Sequence, residues 1–337
     1  MIRKGIGLAL ILLAGLIFPS AGRAGGLAYG AWLPYWEMDA ALDEADRLLG
    51  RVDTYVAFAS LFDRSDRLVV PSETHAILSI LKKPAFRKVA VYISVVNDVE
   101  VAPGDYENKS ISLLRRLLQT PESQGKHIEQ LMSLVDKYKP YGLELDYENI
   151  KGDTGIWSSY VGLIREVWSI CQRDGVRLRV VLPWDAPLYA VLPEGPEYSV
   201  MCYNLFGYHS GPGPKADIDF LKNICKLYLN VPGPVRMAFA TGGFDWAGGD
   251  ITALTQEQST EQLRKAGVEP KRDPFSGAMK ATYQESDKIH EVWYADGQTL
   301  TLWRDTCIEY GFDSFDLFRL GGNDLEDWSN TLFETQP

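Results

Sequence analysis

The sequence predicts an α/β fold: a closed (β/α)8 TIM barrel with a small α+β insertion between strands 7 and 8. Three observations carry this. Eight apolar strand-like runs alternate with helix-like runs along the chain, which is the order of a parallel sheet. The number eight favours closure of that sheet into a barrel over an open, doubly wound arrangement. The chain has 337 residues, enough for one large domain with a sizeable core.

Residues 27–36 (LAYGAWLPYW) read as the first strand and 39–50 (DAALDEADRLLG) as a helix with Gly at its end. Strands follow at 52–62 and 87–96, with the helical ETHAILSILKK between them. Residues 122–140 repeat apolar positions at helical spacing and stop at Pro140, which cannot continue a helix. YGLELDYE (141–148) is the fourth strand, and 157–175 is a helix ended by Gly175. Strand five spans 176–184 and joins strand six, 197–206, through a short connection of no clear type. A helix over 216–230 and strand seven over 235–243 lead into an excursion of about 244–296. That excursion contains a helix-like TQEQSTEQLRKAG and a hairpin over MKATYQESDKIHEVWYADG. It reads as a small lobe beside the barrel mouth, or as a flap without ligand contact. A helix over 298–311, strand eight over 312–320 and a helix-like NDLEDWSNTLF complete the chain. There is no internal repeat and no low-complexity tract.

Residues 1–24 read as a secretory signal peptide: Arg3 and Lys4, the apolar GIGLALILLAGLIF, then the small-residue run PSAGRA. An uncleaved anchor is the alternative, but the apolar core is short for a span. The expected location is secreted, periplasmic or cell-envelope, with one catalytic barrel over 25–337. The chain carries a formal charge of −11, and removal of the leader leaves 31 basic against 45 acidic residues, or −14. That balance argues against nucleic acid as a partner. No integral membrane association is expected after signal cleavage, and the barrel is taken as a monomer. The four cysteines (Cys171, Cys202, Cys225, Cys307) lack any metal-ligand spacing. Buried thiols are the favoured reading; if a bridge forms, Cys202 with Cys225 is the first pair to consider. The four histidines are scattered, and no phosphate loop, dinucleotide fingerprint or nucleophile elbow is present, so neither a metal nor a cofactor is expected.

The chemistry concentrates in strand four. Glu144, Asp146 and Glu148 alternate with Leu143, Leu145 and Tyr147, so the carboxyl groups share one face and the apolar groups the other. In a barrel the apolar face meets the helices and the acidic face meets the interior. Three ionised carboxylates cannot be buried together, so protons must be shared and at least one group must titrate high. Glu148 is last, at the C-terminal end of the strand where barrel active sites lie, which makes it the natural general acid.

YGLELDYE resembles the D-G-x-D-x-D-x-E signature of glycoside hydrolase family 18, the chitinase-like barrels, with Gly142, Asp146 and Glu148 matching. Glu144 stands for an Asp, and Tyr141 for the first Asp. MCYNLFGYH (201–209) is similar to the family's sixth-strand M-x-Y-D segment, with Met201 and Tyr203 matching and Asn204 in place of Asp. HEVWYADGQTL and FDLFRLGGNDLEDW resemble the bacterial branch that cuts spore-cortex peptidoglycan, with Phe318 where that branch usually has Trp. The likeness spans nearly the whole chain after the leader.

The resemblance implies substrate-assisted retaining hydrolysis of β-1,4-linked N-acetylglucosamine-containing glycans, of peptidoglycan or chitin type. In that scheme Glu148 is the acid and base, Asp146 holds the acetamide N–H with Glu144 behind it, and Tyr203 aligns the acetamide oxygen. Sugar contacts are expected from Tyr35, Trp184, Asp185, Met201, Asn204, Trp246, Trp293 and Phe318, with Trp36, Phe206 and Tyr208 as further aromatic candidates. Arg319 is placed to meet a carboxylate in the pocket or to form a structural salt bridge. A catalytically weak, lectin-like glycan binder on the same barrel is the alternative function.

Overall fold

The computed structural model describes residues 26–333. The signal-peptide reading of residues 1–24 lies outside the described residues. The barrel strands are β1 (Ala28–Pro34), β2 (Thr54–Phe62), β3 (Ala90–Ala102), β4 (Gly142–Asp146), β5 (Arg177–Pro183), β6 (Glu197–Met201), β7 (Val235–Ala240) and β8 (Ser314–Phe318). Each pairs in parallel with the next, and β8 pairs with β1, so the sheet closes into a ring. The helices are α1 (Met38–Arg47), α2 (Ser72–Leu81), α3 (Ile111–Leu118), α4 (Pro121–Tyr138), α5 (Thr154–Asp174), α6 (Ile218–Tyr228), α7 (Gln256–Ala266), α8 (Gly297–Ile308) and α9 (Leu325–Asn330). The main core lies between the strands and these helices, as in TIM barrels generally. Among the described residues no helix is long and apolar enough to cross a membrane.

The differences from the sequence reading have local causes. α3 is a helix that the sequence reading does not contain: Leu113, Leu114, Leu117 and Leu118 form its apolar stripe, and Ser110 caps it by accepting from the Leu113 N–H. β3 runs on to Ala102 and turns back through a short antiparallel strand, Asp105–Glu107. That extension carries Asn97, Asp98 and Lys109 to the barrel mouth. The β5–β6 connection holds only a single 3-10 turn, Ala186–Leu188.

The lobe starts at Gly242, directly after β7, and includes two strands the sequence did not reveal, Gly242–Ala247 and Asp250–Leu254. Its five-stranded antiparallel sheet also contains Lys288–Ala295, Met279–Glu285 and Lys271–Arg272. α7 packs on one face through Leu263, against Ala281, Val292 and Tyr294. All four cysteines are buried free thiols, so the Cys202–Cys225 bridge is not formed.

The barrel interior below the mouth is ionic. Arg179 on β5 contacts Glu144 at 2.6 Å and Asp316 on β8 at 3.4 Å. Asp316 in turn meets Arg236 on β7 at 2.8 Å and accepts from the Ser199 hydroxyl at 2.7 Å. Burial alone would raise the Asp316 carboxyl; Arg236 and Arg179 outweigh it and hold the group below its ordinary value. Arg179 also lies over the rings of Trp32 and Tyr92. Gly142 is required here because a Cβ would stand 2.2 Å from the Tyr92 ring.

Candidate active site

β4 sets the site. Leu143, Leu145 and Tyr147 are buried in the core, while Glu144 and Asp146 are buried on the inner face. The strand ends at Asp146, and two sets of contacts fix Tyr147 and Glu148 beyond it. The Tyr147 hydroxyl meets His127 Nε2 on α4 at 2.6 Å. The Glu148 N–H donates to Asn97 Oδ1 at 2.9 Å, and Asn97 Nδ2 donates back to the Glu148 carbonyl at 3.2 Å. Glu148 is thereby bracketed at the mouth, its side chain 15% exposed.

Asp146 and Glu148 have different surroundings. Asp146 is raised well above the ordinary carboxyl range, by burial first and then by the charges of Glu148 and Glu144. Its Oδ1 is buried without a hydrogen-bond partner among the described residues. The Glu148 carboxylate pairs with Lys109 Nζ at 2.6 Å. Burial alone would lower the Lys109 ammonium; contact with Glu148 outweighs this and raises it. The Lys109 N–H donates to Asp98 Oδ1 at 2.7 Å, and Asp98 is raised, chiefly by burial. The high-titrating member of the acidic strand is therefore Asp146, with Glu148 ion-paired.

Tyr203, just beyond β6, is buried, and burial together with the Glu148 and Asp146 charges raises its hydroxyl, keeping it a proton-bearing donor.

Glu144 departs from the expected role. It is fully buried beneath the cleft, accepting from Trp32 Nε1 at 2.8 Å and from Arg179 Nε at 2.6 Å. Arg179 from the neighbouring strand already neutralises it, so it acts on Asp146 through charge rather than by sharing a proton.

The cleft at the C-terminal mouth has a volume of about 540 Å³ and is lined by Asp146, Glu148 and Tyr203 together with the expected Tyr35, Met201, Asn204 and Phe318. Trp36, Phe58, Tyr208 and Phe244 add aromatic surface, and Asn97, Asp98, Lys109, Lys215 and Arg319 add polar groups. Phe318 stacks on Tyr203 with ring centroids 5.9 Å apart and meets Phe58 edge-on at 5.7 Å. Asn204 has φ 69°, a left-handed conformation that Asn tolerates better than most residues. Tyr141 stands one residue before β4, at the end opposite the cleft, and packs on Tyr92; that departure from the motif does not reach the mouth.

Four expected sugar contacts are not among the lining residues. Trp184 packs edge-on against Phe220 of α6, and Asp185 follows it at the start of the 3-10 turn. Trp246 is buried, donating to the Ser210 carbonyl at 3.2 Å. Trp293 pairs across the lobe with Phe244, one strand farther on, and carries Lys280 over its ring. Phe206 is also absent from the lining, packed over Gly213. Of the lining residues the sequence reading missed, Lys109 comes from the turn beyond β3, Lys215 from the loop after β6, Phe244 from the lobe strand Gly242–Ala247, and Phe58, Asn97 and Asp98 from β2 and β3. The alternation within β4 gave no sign of them. Among the described residues no group of acidic, His or Cys side chains is arranged to hold a metal ion.

Fold and cleft together define a closed (β/α)8 barrel with an acidic strand, a tyrosine beyond the sixth strand and an aromatic-walled groove at one mouth. No family model matches the chain. It is similar to the uncharacterized glycosylase YvbX of Bacillus subtilis strain 168, 22% identical over 285 residues, covering 79% of this chain and 80% of that one. Among solved structures it superposes on the spore cortex-lytic enzyme SleL of Bacillus cereus with a TM-score of 0.76 and 18% identity, over 92% of this chain and 75% of the other. A chitinase from Chromobacterium violaceum gives 0.75 and 18%, over 90% and 97%. A class V chitinase of Nicotiana tobaccum in complex with NAG4 gives 0.74 and 14%, over 91% and 98%. The resemblance to the chitinase-like and spore-cortex barrels, visible in short motifs, thus extends over the whole fold.

Proposed function

We propose that this protein is an exported glycoside hydrolase that cleaves β-1,4-linked glycans containing N-acetylglucosamine by substrate-assisted, retaining catalysis. The observation that carries this reading is the meeting of a buried, high-titrating Asp146 with Glu148 and the Tyr203 hydroxyl in one aromatic-walled cleft. The similarity to proteins named glycosylase, chitinase and cortex-lytic enzyme supports it. The leader-like residues 1–24 support export.

In this mechanism the substrate's acetamide oxygen attacks the anomeric carbon, so no enzyme nucleophile is required. The leaving glycosidic oxygen takes a proton from Glu148, and the C–O bond breaks as the cyclic oxazolinium forms. For this Glu148 must be protonated, and Lys109 must give way. Asp146, whose carboxyl is raised well above the ordinary range by burial and by the charges of Glu148 and Glu144, supplies that proton. Once it has yielded that proton, the Asp146 carboxylate faces the cationic oxazolinium and accepts the acetamide N–H. Tyr203 donates to the acetamide oxygen and fixes its line of attack. Water then attacks the anomeric carbon while Glu148 removes its proton, which retains the anomeric configuration, and return of that proton from Glu148 to Asp146 restores the starting state. Proton transfer by a positioned carboxyl is worth about 10²–10⁴-fold. Glu148→Gln is expected to lower kcat by at least about 10²-fold, while the affinity for N-acetylglucosamine oligomers is retained. A chromogenic chitobioside and purified peptidoglycan, assayed side by side, provide the test, and normal turnover by the variant would refute the assignment.

A further inference from the structure

Lys215 lies in the same cleft as Asp146, Glu148 and Tyr203. It ends the Gly- and Pro-rich loop GYHSGPGPK after β6, where its backbone is held by the Leu205 N–H donating to its carbonyl at 3.0 Å. Its ammonium stands 4.5 Å from the centre of the Phe244 ring. Among the described residues no carboxylate pairs with it. The other two cations of the cleft are engaged: Lys109 with Glu148 at 2.6 Å, and Arg319 with Glu37 at 3.5 Å and with the carbonyls of Leu320 and Gly321. The chain has 45 acidic residues against 34 basic ones, so a cation without a carboxylate in its main cleft stands out. Burial, with repulsion from Arg319, pushes Lys215 down to about 8. An incoming anion would relieve both effects, because a partly buried charge costs free energy until it is paired.

We propose that Lys215, supported by Arg319, forms an anion subsite that receives a carboxylate borne by the glycan, so that the enzyme prefers an acidic N-acetylated amino-sugar polymer to a neutral one. One unpaired ammonium matches one negative charge, which fits a carboxylate such as the free lactyl group of a muramic acid residue that carries no peptide. Phe244 beneath the ammonium gives the adjoining sugar ring an apolar platform. This inference rests on the glycosidase reading and narrows its substrate class.

The test measures binding in the Glu148→Gln background, so that ligands are not consumed. Chitotetraose is the neutral probe. A tetrasaccharide of alternating N-acetylglucosamine and N-acetylmuramic acid with free lactyl carboxylates is the acidic one. Calorimetry at pH 7 is expected to give a Kd about tenfold lower for the acidic ligand, the scale of one charge-assisted hydrogen bond. Lys215→Met is expected to bring the ratio of the two Kd values to within about twofold. Lys215→Arg, which keeps the charge, is expected to restore most of the preference, which a misfolded or merely rearranged loop would not do. Equal affinity for the two ligands, or a preference that survives Lys215→Met, overturns the subsite and leaves the glycosidase reading standing. If neither glycan binds, the glycosidase reading fails, and titration with D-lactate then decides the subsite. Lactate binding abolished by Lys215→Met upholds it; no lactate binding overturns it.

Discussion

Lys109 and Glu148 meet at 2.6 Å at the cleft mouth, so the proposed proton donor rests in an ion pair. A cation at contact distance favours the ionised form of its partner, whereas the proposed reaction begins with a protonated Glu148. Lys109→Met removes the competing charge. The expected outcome is a kcat/KM about tenfold higher at pH 7, because the ion pair no longer has to be broken before proton transfer. Assay of a chromogenic chitobioside checks this; an unchanged kcat/KM would mean that opening the pair costs nothing during turnover. At this scale the sequence was informative where residues share a strand. Asp146 and Glu148 could be read from a two-residue period. Lys109 and Lys215 could not, because each reaches the cleft from a loop whose path depends on a neighbouring strand.

At the level of elements, α4 holds the residue between the two carboxyls. His127 is buried, its Nε2 is bonded to the Tyr147 hydroxyl, and its Nδ1 has no partner among the described residues. Burial pushes the imidazole from 6.5 down to about 4. The folded protein therefore needs the neutral ring, while the unfolded chain protonates it readily. The contribution to stability is complete above pH 6.5 and is lost as pH falls through about 4. The full loss is on the order of 3 kcal/mol. His127→Gln is expected to flatten the fall in urea midpoint between pH 7 and pH 4; an equally steep fall in the variant would place the acid sensitivity elsewhere. Most strands and helices were legible because their apolar periods are clear, as in α5. α3 escaped because its eight residues offer only two turns of pattern. The lobe strands Gly242–Ala247 and Asp250–Leu254 escaped because glycines and an exposed edge dilute their alternation.

Across the whole barrel, charge is buried in a chain of contacts running from Glu144 through Arg179 and Asp316 to Arg236. It ties β4, β5, β7 and β8 together beneath the cleft. Breaking such a chain at one member leaves an uncompensated buried charge. Arg179→Met is expected to cost about 3–5 kcal/mol, measured by chemical denaturation, with Glu144 left facing Asp146 without its cation. A loss below 1 kcal/mol would show that water enters the barrel and screens the network. This network is also why three inward carboxyl groups are tolerated. The strand pattern implied proton sharing among all three, but Arg179 on β5 pairs with Glu144 and Lys109 pairs with Glu148.

By itself the sequence determined the barrel, its eight strands in order, the inward acidic face of the fourth strand and the tyrosine beyond the sixth. Those features are periodic within one element, and burial acts on periodicity directly. Only the tertiary structure decided which carboxyl is buried without a cation, which aromatic rings wall the groove and which cleft lysine stands without a carboxylate. These depend on distances between loops far apart in the chain, set by barrel closure and by the lobe, and Coulomb energies and desolvation change steeply over such distances.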